Sequence, residues 1–135
     1  MIKQVIVIRK DLRNVAGGKV RTGKIIAQAC HASISFLTKK IQFNEKGEVA
    51  LDWDQLTEAE LSWIKGSFTK VCLSVNNDDE LLKIKSSAED AGLNCNLITD
   101  SGLTEFGGVP TNTCLSIGPD FSEKIDKITG DLELY

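Results

Sequence analysis

Four polar side chains, Lys24, Gln28, His31 and Ser35, recur every three or four residues in T-G-K-I-I-A-Q-A-C-H-A-S-I-S-F-L, Thr22 to Leu37. On an α-helix that spacing gathers them into one narrow stripe, with Ile25, Ile26, Ala29, Cys30, Ala32, Ile34, Phe36 and Leu37 filling the remaining circumference. A helix apolar over most of its surface is expected to be largely buried. Its stripe then either lines a site or forms the solvent edge of a core helix. An amine in such a place can stabilise developing negative charge or hold a phosphate. The chain's single histidine, His31, belongs to the residue type most often used as a general base, although many histidines are structural.

A second group lies in the loop D-S-G-L-T-E: Asp100, Gly102, Thr104 and Glu105, with Thr113 opening the next apolar run. Ligands of α/β sheets sit in loops beyond strand C-termini, and residues 10–23 and 100–112 both follow strand-like segments. If those two strands run parallel, the loops open on the same edge and Lys24 comes near Asp100. The plainer alternative is that Asp100 and Thr104 merely close a turn.

Gly18 to Lys24 matches G-x-x-x-x-G-K between a strand and a helix, where backbone amides cradle phosphates. Ile25 stands where a nucleoside-triphosphate site needs Ser or Thr for Mg²⁺, which argues against nucleotide hydrolysis. What remains is a basic, glycine-bearing loop, with Lys19 and Arg21, feeding a helix N-terminus. The net charge of −3 speaks against a wholly basic nucleic-acid binder. Residues 9–24, however, hold six cations against Asp11 alone, a local +5 that leaves −8 elsewhere. That asymmetry suits one anionic ligand approached from one direction; a solvated Lys/Arg loop is the other reading.

The elements that must position these groups read as follows. Ile2 to Arg9 is a central strand buried on both faces. Thr22 is the expected N-cap of a helix to about Lys39. Gln42 to Asp54 reads as irregular, with N-E-K-G as a turn. Thr57 to Glu60 has capping-box form and starts a short helix before Gly66, with Trp53, Leu56, Leu61 and Trp63 pinning the segment to the body. Thr69 to Val75 is a strand; Asn76, Asn77 and Asp78 offer caps for a helix to Ala91, with Leu81, Leu82, Ile84 and Ala88 on its core face. Asn94 to Ile98 and Thr113 to Ile117 are strands, and Asp120 to Glu123 is a further capping box for a helix ending at Gly130. The order gives a single α/β domain over 1–135, a three-layer α/β/α arrangement around a mixed, mostly parallel four-stranded sheet, with a variable excursion over about 41–66.

Cys30, Cys72, Cys95 and Cys114 are widely spaced, lack C-x-x-C pairing and have one histidine for company, so no metal site is expected. Each lies in an apolar segment and is expected to be a buried thiol. A Cys30–His31 nucleophile pair is disfavoured because adjacent helical residues point about 100° apart. No apolar run approaches the ~20 residues of a membrane span, and the N-terminus reads as a strand, so no membrane partner and a cytoplasmic location are expected.

The runs G-K-I-I-A-Q-A-C-H-A (Gly23–Ala32), L-I-T-D-S-G-L-T-E (Leu97–Glu105), L-S-I-G-P (Leu115–Pro119) and I-D-K-I-T-G-D-L-E-L-Y (Ile125–Tyr135), in this order, resemble the second, archaeal and eukaryotic, type of peptidyl-tRNA hydrolase. The resemblance implies cleavage of the ester between a peptide and the 3′ ribose of tRNA, returning tRNA from stalled translation, without metal or cofactor. It places the family's active-site lysine on Lys24, its aspartate on Asp100 and its threonines on Thr104 and Thr113. Gln28 and His31 take the glutamine and histidine of its helix, and Gly102, Lys19 and Arg21 fall in its substrate-binding loops. Lys24 would then stabilise the oxyanion or hold the terminal phosphate, Asp100 would orient the water, and the threonines would supply hydroxyls. The chain departs from the family pattern in a longer loop before Gly23, in Leu103 where an arginine is common, and in the excursion over 45–66. Peptidyl-tRNA is the implied partner; pairing into a homodimer stays open, as does a non-catalytic RNA- or protein-binding module on the same scaffold.

Overall fold

The computed structural model describes residues 1–51 and 53–135, with the side chain of Trp53 outside the described ones. Ile2–Arg9 forms β1, and its central Val5, Ile6, Val7 and Ile8 are all buried, so both faces of the strand are covered. Helix α1 spans Thr22–Thr38. Arg21, not Thr22, occupies its N-cap position, and no side chain caps it locally. The segment read as irregular contains a hairpin, β2 (Ile41–Phe43) against β3 (Val49–Leu51). Its turn is closed by Asn44, whose side-chain oxygen accepts from the backbone N–H groups of Lys46 and Glu48. Six strand residues in two runs of three are too short for a period-2 pattern to register.

Helix α2 spans Glu58–Lys65 and starts as its sequence dictates, with Thr57 Oγ1 accepting from the Glu60 amide at 3.1 Å. Strand β4 covers Lys70–Val75. Helix α3, Asp78–Asp90, is capped by Asn77, whose side chain accepts from the Glu80 amide. Strands β5 (Cys95–Asp100) and β6 (Thr111–Phe121) precede helix α4, Ser122–Thr129. The capping box expected at Asp120 does not form. Asp120 Oδ1 accepts from the next amide, that of Phe121, and α4 starts without a side-chain cap.

The main sheet has the order β4-β1-β6-β5. Only the β1–β4 ladder is parallel; β1–β6 and β5–β6 are antiparallel, which corrects the expectation of a mostly parallel sheet. Three strands do share one direction. β6 runs against them, and because it inserts between β1 and β5 it makes two of the three ladders antiparallel. The layers are as expected. Val5, Val7, Leu115 and Ile117 pack with Leu81, Ala88 and Ile125 of α3 and α4 on one face. On the other, Ile6, Ile8 and Cys114 meet Ala32 of α1, and Phe36 meets Trp63 of α2 edge-on at 5.8 Å.

Helix α1 is buried in part as expected, through Ala32 and Phe36, but less of its apolar surface is covered than the sequence suggested. Gln28, Ala32, Ser35 and Phe36 are the buried residues, while Ile26, Cys30 and Ile34 are exposed. Of the polar stripe, Gln28 and Ser35 are buried, Lys24 is half-buried and His31 is exposed; Lys24 and Gln28 find polar partners at the end of β5 and on β6. The exposed outer face of α1 also overturns the uniform reading of the cysteines. Cys114 is buried and Cys95 partly so, but Cys30 and Cys72 are exposed. Burial pushes the Cys95 and Cys114 thiols up to about 11. Leu82, expected on the core face of α3, lies largely at the surface, with Leu81 and Ala88 taking the buried positions.

Candidate active site

The first two turns of α1, the end of β5, the loop 101–110 and the start of β6 bring five side chains into one hydrogen-bonded chain. Lys24 Nζ donates to Asp100 Oδ1 at 2.9 Å and to Thr104 Oγ1 at 3.1 Å. Gln28 Nε2 donates to the same Asp100 oxygen at 3.3 Å, and Gln28 Oε1 accepts from Thr113 Oγ1 at 2.6 Å. The other Asp100 oxygen accepts from the Gly102 amide at 2.9 Å. The carboxylate is thus held from both sides by three donors. The Gln28 amide is oriented by its two partners, its oxygen toward the β6 hydroxyl and its nitrogen toward the charge.

Each position follows from local structure. Lys24 and Gln28 are one helical turn apart and share a face. Asp100 ends β5, and Gly102 turns the chain with φ at +81°. A Cβ at Gly102 would lie 2.0 Å from the Val109 carbonyl oxygen, so only glycine closes this loop. Thr113 is buried on β6 beneath α1, whereas Thr104 is exposed at the loop surface. The Lys24 and Asp100 side chains are 14% and 12% exposed, which places the pair at the floor of an opening rather than on an open surface. The ring of Phe106 lies 5.9 Å from Lys24 Nζ and shields one side of it.

The hydrogen bond from Lys24 holds the Asp100 carboxyl below the usual carboxylate range, with the Gly102 amide assisting and partial burial opposing. Asp100 is therefore ionised throughout the neutral range, suited to orient a water rather than to carry a proton at pH 7. The Thr104 hydroxyl accepts from Lys24 and keeps its own proton free to donate.

Strands β1 and β5 run the same way, so their loops meet on one edge, as the sequence reading required. The Val15 amide donates to the Glu105 carbonyl at 3.0 Å. The Glu105 carboxylate accepts from the Arg21 amide at 3.2 Å and from Arg21 Nε. Lys19 is exposed beyond this contact, on a small hairpin bridged to Arg13. His31 is exposed, and its imidazole makes no hydrogen bond among the described residues; its carbonyl accepts from Ser35 Oγ at 2.6 Å. The geometry thus joins Lys24, Gln28, Asp100, Gly102, Thr104 and Thr113, and leaves His31 and Lys19 outside the hydrogen-bonded group. Gly102 serves by fixing Asp100. Glu105, grouped with Asp100 in the sequence without a role of its own, and Phe106, not singled out there, complete the surroundings; an acidic residue next to Thr104 facing a basic loop was the available signal for the Arg21 contact.

A groove of about 980 Å³ opens on the opposite flank of α1, lined by Ile8, Ile25, Ala29, Phe36 and Trp63 among others. It contains none of the six grouped residues; its lining is mainly apolar, with Arg9, Lys10, Arg13, Lys19 and Lys70 as its charged members. Among the described residues no three His, Cys, Asp or Glu side chains gather as metal ligands, and no helix is long and apolar enough to cross a membrane.

A family model described as peptidyl-tRNA hydrolase PTH2 matches residues 2–135. The chain is 45% identical to a peptidyl-tRNA hydrolase of Methanothermobacter thermautotrophicus over 133 residues, covering 98% of this chain and 99% of that protein. It is 41% identical to the Methanopyrus kandleri enzyme over 135 residues (99% and 98%) and 37% identical to that of Sulfolobus acidocaldarius over 133 residues (98% and 99%). A solved structure of an Agrobacterium protein of unknown function superposes with a TM-score of 0.53 at 13% identity, covering 98% of this chain and 96% of that one, and speaks for the fold alone.

Proposed function

The chain belongs to the peptidyl-tRNA hydrolase family PTH2, and from that premise we propose that the Lys24–Asp100–Thr104 cluster hydrolyses the ester joining peptide to tRNA. The carrying observation is the Lys24–Asp100 pair itself, a cation and an ionised carboxylate 2.9 Å apart and mostly buried, with the Thr104 hydroxyl on Lys24 and the Thr113 hydroxyl linked to the pair through Gln28.

In this reading Asp100 orients the attacking water through its ionised oxygens. Lys24 faces the negative charge that grows on the carbonyl oxygen, stronger there than in water because the pair is mostly desolvated. Thr104 donates its free proton to the carbonyl or to the ribose. Thr113 acts through Gln28, fixing the amide that holds Asp100. Lys19, exposed and without an ion pair among the described residues, takes a phosphate of the tRNA. The expected result is that Lys24→Ala lowers hydrolysis of N-acetylaminoacyl-tRNA at least tenfold with the fold intact by circular dichroism. Full activity in that variant removes Lys24 from the mechanism.

A second copy of the chain would have a surface to use. Ile26, Ile34, Ile64 and Phe68 are exposed along the outer flank of α1 and α2, an apolar strip of the kind that marks association. Sedimentation tests this: a dimer that Ile26→Glu dissociates supports the pairing, and a monomer at all concentrations rejects it.

A further inference from the structure

The G-x-x-x-x-G-K loop leads into a helix of 17 residues whose N-terminus has no side-chain cap and no acidic residue in its first turn. Such an end leaves backbone N–H groups unpaired and draws an anion. In this fold the anion comes from the chain itself. Glu105, only 8% exposed, reaches across from the loop after β5; one carboxylate oxygen accepts from the Arg21 amide at 3.2 Å, the other from Arg21 Nε at 2.5 Å. The Arg21 side chain is 77% exposed, so Glu105 neutralises a cation that otherwise stands free at the rim of the site. Glu105 also follows Thr104 directly, and its carbonyl holds Val15 of the basic loop.

We propose that Glu105 is a positioning residue that occupies the anion place at the start of α1, keeps the loops 10–21 and 100–112 locked together so that Lys24 meets Asp100 and Thr104, and withholds Arg21 from the tRNA. The inference rests on the peptidyl-tRNA hydrolase reading. It gives the phosphate-loop motif an internal anion: the Glu105 carboxylate takes the Arg21 amide at the start of the helix, and the exposed cations of this loop without an acidic partner among the described residues are Arg13 and Lys19.

Three variants decide it, measured for hydrolysis of N-acetylaminoacyl-tRNA and for binding of deacylated tRNA between 50 and 200 mM salt. Glu105→Gln is expected to lower kcat at least fivefold with KM unchanged or reduced, because the clamp loosens while a repelling charge disappears. The same variant frees Arg21, so its log K against log[salt] steepens by about 0.7 to 0.9, one phosphate contact. Arg21→Gln alone leaves that slope as in the wild type, since its charge is already engaged, and Glu105→Gln/Arg21→Gln restores the wild-type slope. The inference requires both changes in Glu105→Gln; an unchanged kcat, a raised KM or an unchanged slope overturns it. If Glu105→Gln is unfolded at the assay temperature, Arg21→Gln decides alone, and a slope shallower by about 0.7 to 0.9 overturns the proposal. A wild-type protein that neither hydrolyses the substrate nor binds tRNA would instead remove the functional reading beneath it.

Discussion

Replacing Asp100 by asparagine tests the centre of the site with almost no change in volume. The carboxylate receives Lys24 and Gln28 on Oδ1 and the Gly102 amide on Oδ2. An asparagine has one acceptor oxygen and one NH₂ group. Whichever way it turns, its NH₂ faces a donor: Lys24 and Gln28 in one orientation, the Gly102 amide in the other. The variant therefore loses at least one hydrogen bond to a charged group, worth about 1.5–3 kcal/mol. With the pair 12–14% exposed, we take the lower end, about 2 kcal/mol. For a domain of this size that lowers Tm by roughly 6–8 °C, which leaves the protein folded at 25 °C.

Activity falls further than stability suggests, because the group that orients the water is neutral; a loss of about 10² in kcat is expected, the scale of removing one preorganised electrostatic group. The pH dependence carries its own signature. The folded-state pKa of Asp100 is lowered, so its stabilisation is fully present above the unfolded value near 4 and is lost as pH falls through the folded value. The gap in thermal stability between wild type and Asp100→Asn should be constant from pH 5 to 8 and close below pH 4. Single-turnover hydrolysis and a melting series across pH provide the assays. Activity within threefold of wild type at pH 7, or a stability gap that does not narrow as pH falls below 4, would refute the reasoning.

Thr113→Val keeps the shape of a buried side chain but leaves Gln28 Oε1 without its 2.6 Å donor; a stability loss of about 1–3 kcal/mol in urea unfolding is expected, with kcat reduced about tenfold through the misplaced amide. His31→Asn should leave kcat and KM within twofold, since the imidazole has no partner in the cluster; a tenfold fall in kcat would return His31 to the mechanism. Leu103→Arg adds a cation at a position that is 81% exposed beside Thr104, so KM for peptidyl-tRNA should drop and the salt slope steepen by about 0.7 to 0.9, with the melting temperature unchanged.

Much of this arrangement was legible in the residues, and the parts that were not have physical reasons. The unbroken apolar run of β1 and the Thr57 and Asn77 caps are local signals, and they appear where expected. The approach of Lys24 to Asp100 was legible from two loops following strands of one direction. The pairing of β6 was not, because strand order within a sheet is set by packing across the whole domain and not by any one segment. The exposure of Ile26, Cys30 and Ile34 on α1 was not legible for a related reason. Periodicity identifies a polar stripe but not the Thr113 hydroxyl and Asp100 carboxylate that make its burial favourable. The pairing of Glu105 with Arg21 was hidden similarly: the two are 84 positions apart, and no spacing rule links them.

The central claim is that Lys24 and Asp100 form the hydrolytic pair of a peptidyl-tRNA hydrolase. The most direct measurement is multiple-turnover cleavage of N-acetylaminoacyl-tRNA at neutral pH, with the released acetylated amino acid and the re-acylatable tRNA both quantified. The account predicts release of both products in equal amounts by the wild type, and at least a tenfold slower release by Lys24→Ala and by Asp100→Asn. Salt-sensitive retention of the tRNA with no released product, or equal rates in all three proteins, would contradict it.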